Sequence, residues 1–285
     1  MKPSDNYIEE QRNNPRSTEE LIQIALAQEN EYAFRDIVSI LHFRGSYEVF
    51  EAASRLCNSQ NPKERELGVD ILAQLGIPKR TFPDESVNIL LQLLEKEEDT
   101  EVLGAIGVAL GHLKDSRAIK PLVKLKDHSS ANVRFGVVFG LLSQTDELAI
   151  NTLIDLSADE DADVRNWATF GLGSMIEINT PAIRDALFQR LIAEKNETET
   201  ESEIRGEALL GLSIRRDERV VPLLIEELTS KWVGKLAIEA AKEIRDSRLY
   251  SVLIRLKEWW DVDNNLLEEA IDNCKPKKLD NRDAF

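Results

Sequence analysis

Two cysteines, three histidines and two methionines among 285 residues leave little scope for thiol or imidazole chemistry. Cys57 and Cys274 stand far apart and in no Cys-x-x-Cys arrangement, so neither a disulfide framework nor a cysteine metal site is expected. Two free thiols suit a reducing cytoplasm. The opening residues Met1–Asn6 are polar and lack the apolar stretch of a secretory signal. Long apolar runs are also missing: tracts such as 137–142 fall well short of the roughly 20 residues that cross a bilayer, and no membrane partner is expected. Basic charge is in deficit, with 36 Lys and Arg against 52 Asp and Glu, a net charge of −16 and a pI of about 4.8. Nucleic-acid binders carry a basic patch. Here only Lys275, Lys277 and Lys278 cluster, so nucleic acid is not expected as a partner. The acidity fits plain solubility, or a basic protein partner drawn in by long-range steering.

Catalytic motifs are equally scarce. The chain has no His-Glu-x-x-His, no Gly-x-x-x-x-Gly-Lys phosphate loop and no Gly-x-Ser-x-Gly elbow. The run Asp159-Glu160-Asp161-Ala162-Asp163 has the alternating acids of a calcium loop. It places Val164 where that loop needs glycine and Phe170 where it needs a bidentate Glu. It reads as an inter-helix turn whose acids cap the next helix. No catalytic residue, metal site or cofactor is expected.

What the sequence does contain is a repeat. Three tracts superimpose: Asn132-Val133-Arg134-Phe135-Gly136-Val137-Val138-Phe139-Gly140-Leu141, Asp163-Val164-Arg165-Asn166-Trp167-Ala168-Thr169-Phe170-Gly171-Leu172 and Glu203-Ile204-Arg205-Gly206-Glu207-Ala208-Leu209-Leu210-Gly211-Leu212. Weaker copies start near Arg65, Val102 and Val233, and the tract around Arg35 resembles a degenerate first copy. Spacings of 31 residues (Arg134 to Arg165) and 30 (Arg35 to Arg65) fit two short helices and two turns. The spacing of 40 to Arg205 holds the polar insert 196–201, expected to be a loop. A second apolar segment lies between successive Arg tracts, as in 118–125 and 220–228. There Pro121 and Pro222 fit a first helical turn, preceded by capping Asp115 and Asp217. Periodicity is helical throughout and no strand is expected.

This pattern resembles the HEAT family, in particular the short HEAT-like repeats of phycobilin lyases, over residues 18–273. The resemblance implies an all-α, right-handed α-solenoid of about six to seven helix pairs. It would be preceded by a polar segment, 1–17, and followed by a polar tail, 274–285. It further implies that the Arg-bearing helix is the second of each pair and lines a concave face, with Arg65, Arg134, Arg165 and Arg205 in a structural ladder between repeats. HEAT-repeat hydroxylases hold iron through His-Glu pairs, and none of His42, His112 and His128 is followed by Glu.

Helical geometry assigns the faces. If the β-branched residue and positions four, five and eight after it face the core, positions two, three, six and ten after it share an outward arc of about 100°. That stripe carries Phe135 and Phe139, then Asn166, Trp167 and Phe170, then Glu207 and Leu210, then Glu239 and Glu243. Toward the N-terminus it carries Glu66 and Asp70. Large aromatics flanked by acids at solvent-facing positions have the composition of an interaction site; burial against neighbouring helices is the alternative. Adjacent Trp259 and Trp260, placed on the last long helix, point about 100° apart and cannot share one core face.

The tracts 163–168 and 211–220 look most like those of YibA-like bacterial HEAT-repeat proteins associated with Rhs toxin loci. That resemblance implies a cytoplasmic, non-catalytic immunity protein, monomeric alone, that binds a partner such as a basic toxin domain. A phycobilin lyase subunit and an adaptor in a larger complex remain the alternatives.

Overall fold

The computed structural model describes residues 5–195 and 197–276. They are helical, with no strand among the described residues, and divide into two compact units, Met1–Thr152 and Leu153–Phe285.

Unit 1 holds α1 (Asp5–Arg12), α2 (Thr18–Leu26), α3 (Glu31–Arg44), α4 (Tyr47–Leu56), α5 (Pro62–Ala73), α6 (Pro83–Leu94), α7 (Thr100–Leu113), α8 (Ile119–Val123) and α9 (Ala131–Leu141). The next helix, α10 (Glu147–Leu156), crosses the division. Unit 2 continues with α11 (Ala162–Phe170), α12 (Pro181–Ala193), α13 (Glu199–Ile214), α14 (Val220–Leu228), α15 (Lys235–Ile244), α16 (Tyr250–Leu256) and α17 (Asn264–Cys274). From α2 onward these alternate as first and second helices of eight pairs, against the six to seven expected. The eighth, α16 and α17, lacks the Val-Arg signature.

Helix starts follow local chemistry. Ser17 and Glu20 close a reciprocal capping box at α2 (2.7 and 3.1 Å). Asp99 and Asp161 cap α7 and α11, so the acids at 159–163 form the expected inter-helix turn. Asp115 and Asp217 accept from the N–H two residues ahead (2.8 and 3.1 Å), where the chain turns into α8 and α14. The insert at 196–201 is only partly a loop. Thr198 and Glu201 form a second capping box, and α13 begins at Glu199.

The core follows the predicted phase. Val133, Val137, Val138 and Leu141 are buried, as are Val164, Ala168, Thr169 and Leu172, then Ile204, Ala208, Leu209 and Leu212. Second helices pack side by side within each unit through small residues. A Cβ on Gly107 would collide with the Gly136 backbone, and one on Gly136 would lie 2.7 Å from the Gly104 carbonyl oxygen, so α7 and α9 meet backbone to backbone.

Within the segment 1–17, α1 packs on α3: Tyr7 stands edge-on to Phe43 at 5.8 Å, and Arg12 donates to the Phe43 carbonyl. Cys274, expected to begin the tail, closes α17 and is buried, its thiol 3.2 Å from the Ala241 carbonyl. The rest of the tail from residue 277 lies outside the described residues. Trp259 and Trp260 do not sit on a helix: α16 ends at Leu256, and both lie in the connection to α17.

Candidate functional site

The arginine ladder sets the register of the second helices. Arg65 grips Glu97 with two bonds (2.6 and 2.7 Å) and donates to the Ser59 and Gln60 carbonyls. Arg165 repeats this on Glu194 and the carbonyls of Asp159 and Glu160. Arg134, almost fully buried, donates to the carbonyls of His128 and Ser129. Arg205 reaches the carbonyls of Leu191 and Glu194 and the carboxylate of Glu227. Each guanidinium thus satisfies the turn before its own helix. Arg65, Arg165 and Arg205 also hold a Glu from the following repeat.

A second ladder runs along the first helices. Asp115–Arg117, Asp217–Arg219 and Asp246–Arg248 each pair an acid with the arginine two residues on, at 2.6 to 2.7 Å. Arg117 reaches back to Asp84, and Arg219 to Asp185. The repeated Asp-x-Arg spacing was visible in the sequence, where only the capping role of Asp115 and Asp217 was drawn from it.

The outward stripe is described within each unit. In unit 1, α5 presents Glu66 and Asp70 one turn apart, both half-buried. Burial raises the Glu66 carboxyl above its usual range, helped by Glu101 and Asp99. Burial, reinforced by Glu66, pushes Asp70 up to about 7. On α9, Phe135 and Phe139 are half-buried with ring centroids 6.3 Å apart, and His112 of α7 stands edge-on to Phe139 at 5.3 Å. The glycines of the stripe behave differently. Gly136, three residues after Val133, and Gly206, two after Ile204, are buried because that side of each helix meets the neighbouring second helix, whereas Trp167, three after Val164, is part-exposed.

In unit 2, α11 presents Trp167, 36% exposed, with Phe170 edge-on at 5.8 Å. Asn166 donates to Glu203 (2.8 Å), and Ser174 donates to Glu207 (2.6 Å), linking α11 to α13. Burial raises the Glu207 carboxyl against the Ser174 hydrogen bond, and Glu239 and Glu203 add to the rise. Leu210, Glu239 and Glu243 are half-buried on the same stripes.

Glu203 and Glu101 were missed as members of this face. Each stands one residue before the β-branched position, at an angle inside the same 100° arc, so helical spacing alone could have found them. His112 sits ten positions after Val102 and also belongs to the stripe. Crowded carboxylates with raised affinity for protons are under-neutralised, and a cation brought to them relieves that repulsion.

A model of HEAT repeats matches residues 87–173 and 150–243. The chain belongs to the HEAT-repeat family. Protein YibA of Escherichia coli (strain K12) is 32% identical over 242 residues, 83% of each chain, and its counterpart in Escherichia coli O157:H7 matches equally. The crystal structure of Escherichia coli YibA superimposes with a TM-score of 0.72 at 28% identity, over 97% of this chain and 99% of that one. A chain from the Kap95p–RanGDP complex matches with a TM-score of 0.65 at 14% identity, over 96% of this chain and 41% of that one, a likeness of fold. These HEAT repeats are therefore the expected all-α solenoid architecture. No described helix is long and apolar enough to cross a membrane.

Proposed function

We propose that this HEAT-repeat chain is a non-catalytic protein-binding scaffold of the immunity or inhibitor type, and that its partner offers a basic surface, as a nuclease-like toxin domain would. The carrying observation is the second-helix face of unit 2, where the part-exposed indole of Trp167 stands beside Phe170 with Glu203 and Glu207 on the next helix. An aromatic anchor surrounded by polar groups is the anatomy of an interface hot spot. In unit 1, Phe135, Phe139, Glu66 and Asp70 present the same chemistry. The crowding that raises Glu66, Asp70 and Glu207 favours lysine or arginine on the partner. The net charge of −16 favours fast, salt-sensitive encounter with such a surface.

The test is co-expression with a candidate basic toxin domain. A complex is expected that weakens as salt rises. Trp167→Ala and Phe139→Ala should each weaken it by about tenfold or more, as truncated anchors do. Complex formation unchanged by both substitutions would remove the assigned face, and affinity independent of salt would remove the steering argument.

A further inference from the structure

The tandem tryptophans build a second surface within unit 2, on the first-helix side of its repeats. Trp260 turns inward, is buried, and donates its indole N–H to the Val233 carbonyl at 2.9 Å. That bond ties the connection after α16 to the loop before α15. The indoles on either side point outward: Trp259 is 51% exposed and Trp232 79%. Between the end of α14 and α16 lies an open cleft of about 410 Å³. Buried Leu228, Val252 and Leu256 form its floor, and Trp259, Lys231 and Arg255 stand around it.

The charge of this cleft opposes that of the chain. No carboxylate lines it. The Lys231 ammonium lies 5.8 Å from the Trp232 ring centroid, and the Arg255 guanidinium makes only a 3.4 Å contact to the Ser251 carbonyl. Neighbouring cations are neutralised: Lys235 holds Asp263, Lys242 holds Glu269, Arg248 holds Asp246 and Lys257 holds Glu268. Lys231 and Arg255 have no such acid, although acids outnumber bases in the chain.

The geometry points to a docking site for an acidic linear segment of another protein. An apolar side chain of that segment fills the floor against Trp259, and its carboxylates meet Lys231 and Arg255. Aromatic and arginine anchors beside a pocket carry most of the energy of such contacts. Two cations without acids select the sign of the ligand. A basic partner suited to the second-helix face is repelled here, so the two surfaces bind different things.

Fluorescence anisotropy on the full chain tests this with a fluorescein-labelled octapeptide alternating Glu with Leu and Phe, and with the same peptide carrying Lys for Glu. Saturable binding of the acidic peptide is expected, with the basic one weaker by about tenfold or more. Trp259→Ala and Arg255→Glu should each weaken it by about tenfold. Trp167→Ala, on the other surface, should leave it unchanged. Lys231→Glu alters an exposed side chain and keeps the test valid if Trp259→Ala folds poorly. No saturable binding, equal affinity for the two peptides, or indifference to Lys231→Glu overturns the proposal. So does light scattering that shows the chain self-associating through this cleft, with the dimer lost in Trp259→Ala, because the occupant would then be a second copy.

Discussion

Arg65→Ala probes the ladder most directly. It removes two charge-assisted bonds to Glu97 and two bonds to the carbonyls of Ser59 and Gln60. The Glu97 side chain is 3% exposed and that of Arg65 15%. Removing one partner of a buried pair costs about 3–5 kcal/mol, whereas an exposed pair contributes about 0–1 kcal/mol. Glu97 retains the N–H groups of Glu98 and Asp99 as donors, so the expected loss lies between these limits, at about 2 kcal/mol. The pH dependence identifies the mechanism. Burial opposes charge on Glu97, yet the hydrogen bonds from Arg65 and from the Asp99 and Glu98 amides outweigh it and hold the carboxyl below its usual range. A depressed acid contributes stability that is present above its unfolded value of about 4.3 and lost as pH falls through the folded one. The deficit of Arg65→Ala should therefore be full at neutral pH and shrink below about pH 4. Urea denaturation followed by circular dichroism at neutral and strongly acidic pH, away from the isoelectric point of about 4.8, measures it. Arg35→Ala, whose i,i+4 partner Glu31 is as exposed as itself, serves as a control with a loss of about 0.5 kcal/mol or less. A deficit below about 0.5 kcal/mol, the range of ordinary surface changes, or one constant with pH would refute the reasoning.

Three further outcomes are expected. Gly107→Val places a side chain on the Gly136 backbone and should destabilise unit 1 by about 3 kcal/mol or more, seen as a lowered thermal midpoint. Asp70→Asn should stabilise the chain above neutral pH by about 1–2 kcal/mol. In the wild type the folded state binds the extra proton between the unfolded Asp value and about 7, so stability falls as pH rises through that window, and a flat difference between the two proteins would contradict it. Burial pushes the Cys57 thiol up to about 12 and Cys274 up to about 11, so a thiol reagent should find neither in the native chain and both in guanidinium; rapid native reaction would contradict the burial.

Much of the fold was legible because the second helices repeat one phase. Val133, Val137, Val138 and Leu141 recur at helical spacing, and that spacing is what burial selects. The stripe was legible for the same reason, but only as an angle. Whether a given position of it meets solvent or a neighbouring helix depends on how closely second helices approach, and glycine at 136 and 206 signals approach rather than exposure. Arg215 shows the same limit. It is buried and donates to the carbonyls of Leu172, Gly173, Ile176, Ile178 and Gly211, where the chain after α11 widens into a π turn over Gly171–Met175. That role rests on a tertiary meeting that no local spacing announces. The eighth pair escaped because its helices carry neither the β-branched-Arg start nor the small-Leu end of the repeat, and α1 because a short polar helix leaves no periodic apolar trace.

The ladder has a direction. Arg65, Arg165 and Arg205 all take their acid from farther along the chain, at Glu97, Glu194 and Glu227. During synthesis each guanidinium emerges before the carboxylate that will hold it. At these three repeats the arginine awaits its acid until the first helix of the next repeat has been made. A chain cut between such an arginine and its acid leaves an unpaired cation on the N-terminal piece and an unpaired acid on the C-terminal one.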